Sequence, residues 1–263
     1  MKRPLPLFLF CIILLVVVSV SPPAQSRERR VLITTGEYPP WASEGLPHGG
    51  FVTRVISEAF RRKNITPNFQ YYPWERAYKL AQNGVHHATS FWADTEETRE
   101  KHAEFFFKSD PVMHARVVFF QLKERPMQPW KELTDLNRYR IAGMIGETST
   151  QILRQNGLNV HQVAKADQAF MMILFNRLDI FPLELLTGLD ILRFQFGPDQ
   201  AARFSYDARS LFETPASLLF SKAHPEGEEL AARFNEGLRE MQHDGTYAQF
   251  YQELIALQEP AAE

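Results

Sequence analysis

Apolar residues follow two rhythms along the first part of the chain. Phe51, Val52, Val55, Ile56, Ala59 and Phe60 recur at helical spacing, and Arg61-Arg62-Lys63 complete the last turn, where basic groups complement the helix dipole. Around this helix the pattern shortens. Val31-Leu32-Ile33 is an apolar run, "PNFQYYPW" reads as a strand, and Glu75–Gln82 reads as a helix ending near Asn83-Gly84. "HHATSFW" is a short strand leading into "ADTEETREKH", a polar turn into a helix. The order β-α-β-α-β predicts an α/β unit with mostly parallel strands.

Ala115–Leu122 is a long apolar strand, followed by the linker-like "KERPMQPWKELTDLNRYR". The rhythm then restarts. "RIAGMIGETSTQILRQNG" is strand, glycine turn and helix; "HQVAKADQAFMMILFNRLDIFPLE" is strand, helix and strand. "LFETPASLLFSKAHPEG" adds a strand, and Glu228–Leu257 is largely helical, interrupted by "HDGTY". Two α/β units joined through Ala115–Leu122 is the economical organisation, with no internal repeat or low-complexity tract.

The N-terminus has a different character. Lys2 and Arg3 precede an apolar stretch from Leu5 to Val20, then Ser21-Pro22-Pro23 and Ala24-Gln25-Ser26. Positive start, apolar middle and small-x-small end make a secretory signal. An uncleaved anchor is the alternative, since the run is near the minimum for a spanning helix; the Ala-x-Ser end favours cleavage after Ser26. The single cysteine, Cys11, lies in this stretch, so the mature chain would lack disulfide and thiolate chemistry. The mature chain would also lose Lys2 and Arg3 and no acid, leaving 27 basic groups against 31 acidic ones, a formal −4. With no basic stripe, nucleic-acid binding has no electrostatic support.

Four segments carry candidate chemistry. In "VLITTGEYPPWASEGLPHGGF" the Pro39-Pro40 pair stops the strand between Tyr38 and Trp41, which suggests an extended, stiff aromatic ledge. Tyr38, Trp41, Trp74 and Trp92 each fall at or just after a predicted strand end; one such ring is usually core, but four at equivalent ends suggest a shared wall for an apolar or cationic group. In "GMIGETSTQIL", Thr148, Ser149 and Thr150 stand where a helix begins. They are helix caps, and the same N–H groups also suit an anion. Arg99 is either one half of a solvated ion pair or a fork for a ligand carboxylate. Glu184 follows the strand Ile180-Phe181, where open α/β sheets bind ligands, and could receive an ammonium. His86 and His87 are adjacent and point to opposite faces of a strand, so they cannot chelate together. No HExxH, Gly-x-Ser-x-Gly or dinucleotide pattern occurs.

In this order the segments resemble the periplasmic solute-binding proteins of the polar-amino-acid type, the receptors of ABC importers. "GEYPPW…GGF" is similar to that family's first strand and aromatic loop, and "TEETREKHAEFFFKSDP" to its Thr-x-Glu-Arg followed by Phe-Ser-x-Pro. "IAGMIGETS" is similar to its Gly-x-x-x-Gly-(Ser/Thr) turn, "RLDIFPLE" to its Asp-Ala-x-x-x-Asp strand, and "FNEGLREMQHDGTYAQFY" to its closing helix. The resemblance covers almost all of the mature chain. It implies a two-lobed α/β fold of the type II periplasmic-binding-protein class, with two crossing hinge strands near Met113–Val118 and Ala216–Ser221. The expected division is 1–26 signal peptide, 27–115 first lobe, 116–218 second lobe and 219–263 returning to the first. It further implies that Arg99, with Thr148 and Ser149, holds an α-carboxylate, that Glu184 holds an α-ammonium, and that Tyr38, Trp41, Trp74 and Trp92 form the cleft wall.

The expected function is a periplasmic receptor that takes a small solute, an amino acid or related zwitterion, for an ABC importer. A sensor module of the same fold, paired with a membrane signalling protein, is the alternative. An enzyme on this fold is a third, disfavoured because no acid–base pair has catalytic spacing. No catalytic residue, cofactor or metal is expected, and the protein is expected to act as a monomer.

Overall fold

The computed structural model describes residues 29–258. The expected signal segment, 1–26, and its cleavage point lie outside the described residues. The described chain runs β1 (Arg29–Thr35), α1 (Phe51–Arg61), β2 (Ile65–Tyr71), α2 (Trp74–Gln82), β3 (Ala88–Ala93), α3 (Glu96–Phe105) and β4 (Phe106–Leu122). It continues with β5 (Ile141–Met144), α4 (Thr148–Gln155), β6 (Val160–Val163), α5 (Ala166–Leu174), β7 (Phe181–Glu184), α6 (Leu185–Gln195) and α7 (Pro198–Ala201). It ends with β8 (Phe204–Ser221), α8 (Gly227–His243) and α9 (Thr246–Gln258).

A six-stranded sheet in the order β2-β1-β3-β8-β4-β7 runs through both lobes. β1 is parallel to β2 and β3, while β8 is antiparallel to β3 and β4, and β7 to β4. A parallel pair, β5 and β6, is tied to the residue before β7 by Ala142 N–H donating to the Ile180 carbonyl at 2.9 Å. The strands within each α/β unit are therefore parallel as expected, and the crossing strands supply the antiparallel pairs.

The helical spacing in α1 exists because one face of that helix is buried. Val52, Val55, Ile56, Ala59 and Phe60 are fully buried against Val31 and Ile33 of β1, Phe220 of β8 and Phe234 of α8. α1 and α8 approach so closely that a Cβ on Gly237 would lie 2.0 Å from the Ala59 carbonyl oxygen. The other lobe centres on Phe170, which meets Phe120, Phe181 and Phe204 edge-on at 5.3–5.4 Å, a favoured aromatic geometry. The linker-like stretch after β4 packs too: Trp130 and Leu136 are buried with Phe119, Ile141, Leu153 and Ile180. Leu186, at the start of α6, packs into the first lobe's core, so the lobes touch beside the crossing strands.

β4 begins nine residues before the apolar run at Ala115, at Phe106. Its early part contains Lys108-Ser109-Asp110-Pro111, a polar stretch with a proline that suits a bulge better than a regular ladder. The β4–β8 register shifts there, and side chains satisfy the backbone: Leu218 N–H donates to Ser109 Oγ at 3.0 Å, and Asp110 N–H to Asn235 Oδ1 at 2.8 Å. The register also corrects one expected crossing segment. Met113 pairs with Ala216 and Val117 with Phe212, so the partner of Met113–Val118 is centred on Phe212–Ala216. The expected Ala216–Ser221 instead pairs with β3 and with the first half of β4, inside the first lobe.

Candidate functional site

A cavity of about 340 Å³ lies between the lobes. Its floor is made by the crossing strands. Met113, Ala115 and Val117 of β4 pair directly with Ala216, Thr214 and Phe212 of β8, and all six line the cavity. That follows from the period of two in a strand, which turns alternate residues to one face.

The first lobe contributes Tyr38, Trp74, Phe91, Trp92, Ala93 and Thr95. Trp74 opens α2 and stands perpendicular to Trp92 and Phe91, with ring centres 5.4 and 5.5 Å away. Its indole lies against Gly36, where an added Cβ would come within 2.4 Å of the ring. Trp92 is fixed by its indole N–H, which donates to Thr89 Oγ1 at 3.0 Å.

The loop after β1 corrects the expected ledge. It is not extended: Trp41 and Ala42 N–H groups both donate to the Tyr38 carbonyl, at 2.9 and 3.0 Å, closing a tight turn. Tyr38 therefore faces the cavity, while Trp41 turns into the core against Phe51 and is only 1% exposed. Trp41 does not line the cavity. Its indole N–H instead donates to Glu184 Oε2 at 2.8 Å, reaching from the first lobe to the second.

Glu184 is the last residue of β7 and the N-cap of α6, where its Oε2 also accepts the Thr187 N–H at 2.8 Å. It is 4% exposed and lines the cavity. Burial pushes its carboxyl above the usual range, and these hydrogen bonds oppose that only in part. The turn into α4 also brings Gly146, Glu147, Thr148 and Ser149 to the lining. The N-cap of α4 is Glu147, whose side chain makes no capping bond; Thr148 and Ser149 are the first helical residues, not caps. Glu147 is also raised by burial. Burial holds the Tyr38 hydroxyl well above its usual range, and the nearby Glu147 and Glu184 carboxylates add to the shift.

Of the residues read from sequence as binding groups, the structure brings Tyr38, Trp74, Trp92, Thr148, Ser149 and Glu184 to the cavity and leaves Trp41 behind Glu184. Arg99 is elsewhere. Thr95 caps α3 and forms a reciprocal box with Thr98, the third helical residue, so Arg99 is the fourth. The pattern Thr-x-Glu-Arg would put Arg third; one added residue rotates it by about 100° around the helix. Arg99 is 60% exposed, its Nε 3.3 Å from Asp94 Oδ1. Asp94 also accepts from Lys108 Nζ at 2.5 Å, which, with Arg99, holds its carboxyl below the usual range. Here Arg99 forms a solvated ion pair and does not line the cavity.

Sequence reasoning passed over Glu147 and Phe91, and the floor residues of β4 and β8. The signal for Glu147 is an acid in the glycine turn just before a helix.

A second cluster, His87, His224 and Glu226, gathers possible metal ligands away from the cavity. His87 Nδ1 accepts the Leu32 N–H at 3.1 Å and His224 Nδ1 the Glu226 N–H at 3.3 Å. Each neutral ring then carries its proton on Nε2, and Arg29 stands 3.1 Å from Glu226. That arrangement opposes a metal.

Residues 31–256 match the family of bacterial extracellular solute-binding proteins, family 3. The chain belongs to this family. No curated protein matches its sequence. Solved structures share the fold. A histidine kinase sensor domain with similarity to periplasmic binding proteins is 18% identical with a TM-score of 0.68, covering 86% of this chain and 96% of its own. A mutant of the arginine-binding protein from T. maritima is 20% identical with a TM-score of 0.65, covering 86% and 95%. The GluR0 ligand-binding core from Nostoc punctiforme, in complex with L-glutamate, is 17% identical with a TM-score of 0.66, covering 85% and 98%. The family's two-lobed architecture explains why the cavity lies where the crossing strands pass.

Proposed function

We propose that the protein is an extracytoplasmic receptor that encloses one small solute between its lobes and presents it to a membrane partner. The observation that carries this is the floor shared by β4 and β8 beneath an aromatic wall on one lobe and polar helix starts on the other. A cavity of about 340 Å³ suits a solute of amino-acid size, at the lower end of the roughly 300–1,000 Å³ of small-molecule sites. An ABC importer is the first candidate partner. The fold shared with a histidine kinase sensor domain supports a second reading, in which the same capture feeds a signalling protein. Binding rather than turnover is the proposed role, in keeping with the family's description.

The test is to denature protein purified from a periplasmic extract, identify released small molecules by mass spectrometry, and titrate each back by calorimetry. A stoichiometric solute that rebinds unchanged supports the reading. A solute consumed on incubation would make the protein an enzyme.

A further inference from the structure

The charges around the cavity narrow the solute. Its lining contains two carboxyl groups, Glu147 and Glu184, and no Lys, Arg or His among the described residues. Arg99 is engaged with Asp94 outside it. Arg116, whose neighbours Ala115 and Val117 form the floor, is on the other face of its strand, 3.3 Å from Ser210 Oγ and 3.6 Å from Glu213. The start of α4 would be the natural seat for a carboxylate, but Glu147 stands at that N-cap and is itself an acid. Opposite the acids are the rings of Tyr38, Trp74, Phe91 and Trp92.

Resting on the receptor reading above, we propose that the cavity takes an organic cation without a carboxylate, an amine or ammonium on an apolar body. Glu147 and Glu184 receive the charge and the aromatic wall receives the body and the remaining face of the cation. A cation held against aromatic faces away from water is attracted by the ring quadrupoles. A carboxylate in the same place meets two acids and no counter-charge, an arrangement that disfavours binding. Burial raises both acids, and a cation bound beside them favours their charged form. Tyr38, which faces both carboxyls, stays neutral because its hydroxyl is raised.

The experiment uses the mature chain and six probes, an aromatic and an aliphatic body each carried as amine, α-amino acid and carboxylate: phenethylamine, phenylalanine and 3-phenylpropionate; pentylamine, norleucine and hexanoate. Thermal shift and calorimetry read the binding. At least one amine is expected to bind at least tenfold more tightly than the amino acid and the carboxylate of its series. Glu147→Gln and Glu184→Gln are each expected to lose at least tenfold for that amine; Glu147 makes no capping bond, so its variant keeps the test valid should Glu184→Gln fold poorly. An amino acid or carboxylate binding as tightly as its amine overturns the charge assignment and leaves the receptor reading standing. Silence from all six probes, with a well-folded protein, overturns the organic-cation assignment and leaves the receptor reading to the identification of the released solute.

Discussion

The indole N–H of Trp41 and the Glu184 carboxylate meet at 2.8 Å, although the residues are 143 positions apart and belong to different lobes. A buried acceptor that also caps a helix is thereby tied to the first lobe's core. Trp41→Phe keeps a ring against Phe51 but removes the donor. Removing one partner of a buried hydrogen bond costs about 1–3 kcal/mol. The expected outcome is a loss of stability of that size in urea unfolding, with a larger radius of gyration by X-ray scattering as the lobes separate. Unchanged dimensions and stability would mean the contact does not hold the lobes together.

Gly36→Ala tests the wall. The new Cβ would press on the Trp74 indole at 2.4 Å, and overpacking typically costs 1–3 kcal/mol. Trp74 should shift into the cavity, altering its fluorescence and weakening any bound solute more than it lowers the melting temperature. Wild-type affinity in this variant would show that Trp74 does not shape the site.

Trp130 lies away from the cavity, its indole N–H donating to Asp207 Oδ2 at 2.8 Å beneath the Arg209 guanidinium, 4.1 Å from the ring centre. Trp130→Phe should cost about 1–2 kcal/mol through the lost hydrogen bond and weakened cation–π contact. The solute-induced fluorescence change should survive, because it comes from Trp74 and Trp92. Abolition of that signal by Trp130→Phe would place the solute elsewhere.

His102 gives an acid-sensitive element. It is 4% exposed, packed beside Tyr78 and Trp92, and burial lowers its pKa to about 4, with Asp94 opposing and Lys101 and Lys108 assisting. The unfolded chain takes up this proton near pH 6.5 and the folded protein only near 4. Between those values the unfolded state binds more protons, so stability falls as pH drops and recovers as it rises. The slope is one proton's worth, on the order of 2–3 kcal/mol over the window. Melting curves from pH 7.5 to 4.5 should show that fall in the wild type and a shallower one in His102→Leu.

The sequence made legible what one periodicity controls. The buried face of α1 and the alternation of helices and strands could be read directly from apolar spacing, because burial sets that spacing. The early half of β4 could not, since polar side chains such as Ser109 replace ladder bonds there. At the site, strand ends located Tyr38, Trp74, Trp92 and Glu184. Arg99 was read by residue type, but its angle around α3 depends on where Thr95 caps the helix. Trp41 depended on a turn whose closure no spacing rule encodes, and Glu147 reaches the lining beside Tyr38 only in three dimensions.

The floor of the cavity has an evolutionary consequence. Met113, Ala115 and Val117, with Phe212, Thr214 and Ala216, line the cavity and also belong to the strands that join the lobes, so any closing motion must pass through them. Selectivity and closing equilibrium thus share one set of side chains. A substitution that recruits a bulkier solute there also resets how readily the lobes shut, so new specificities are more accessible through the walls, at Trp74 or Glu147, than through the floor.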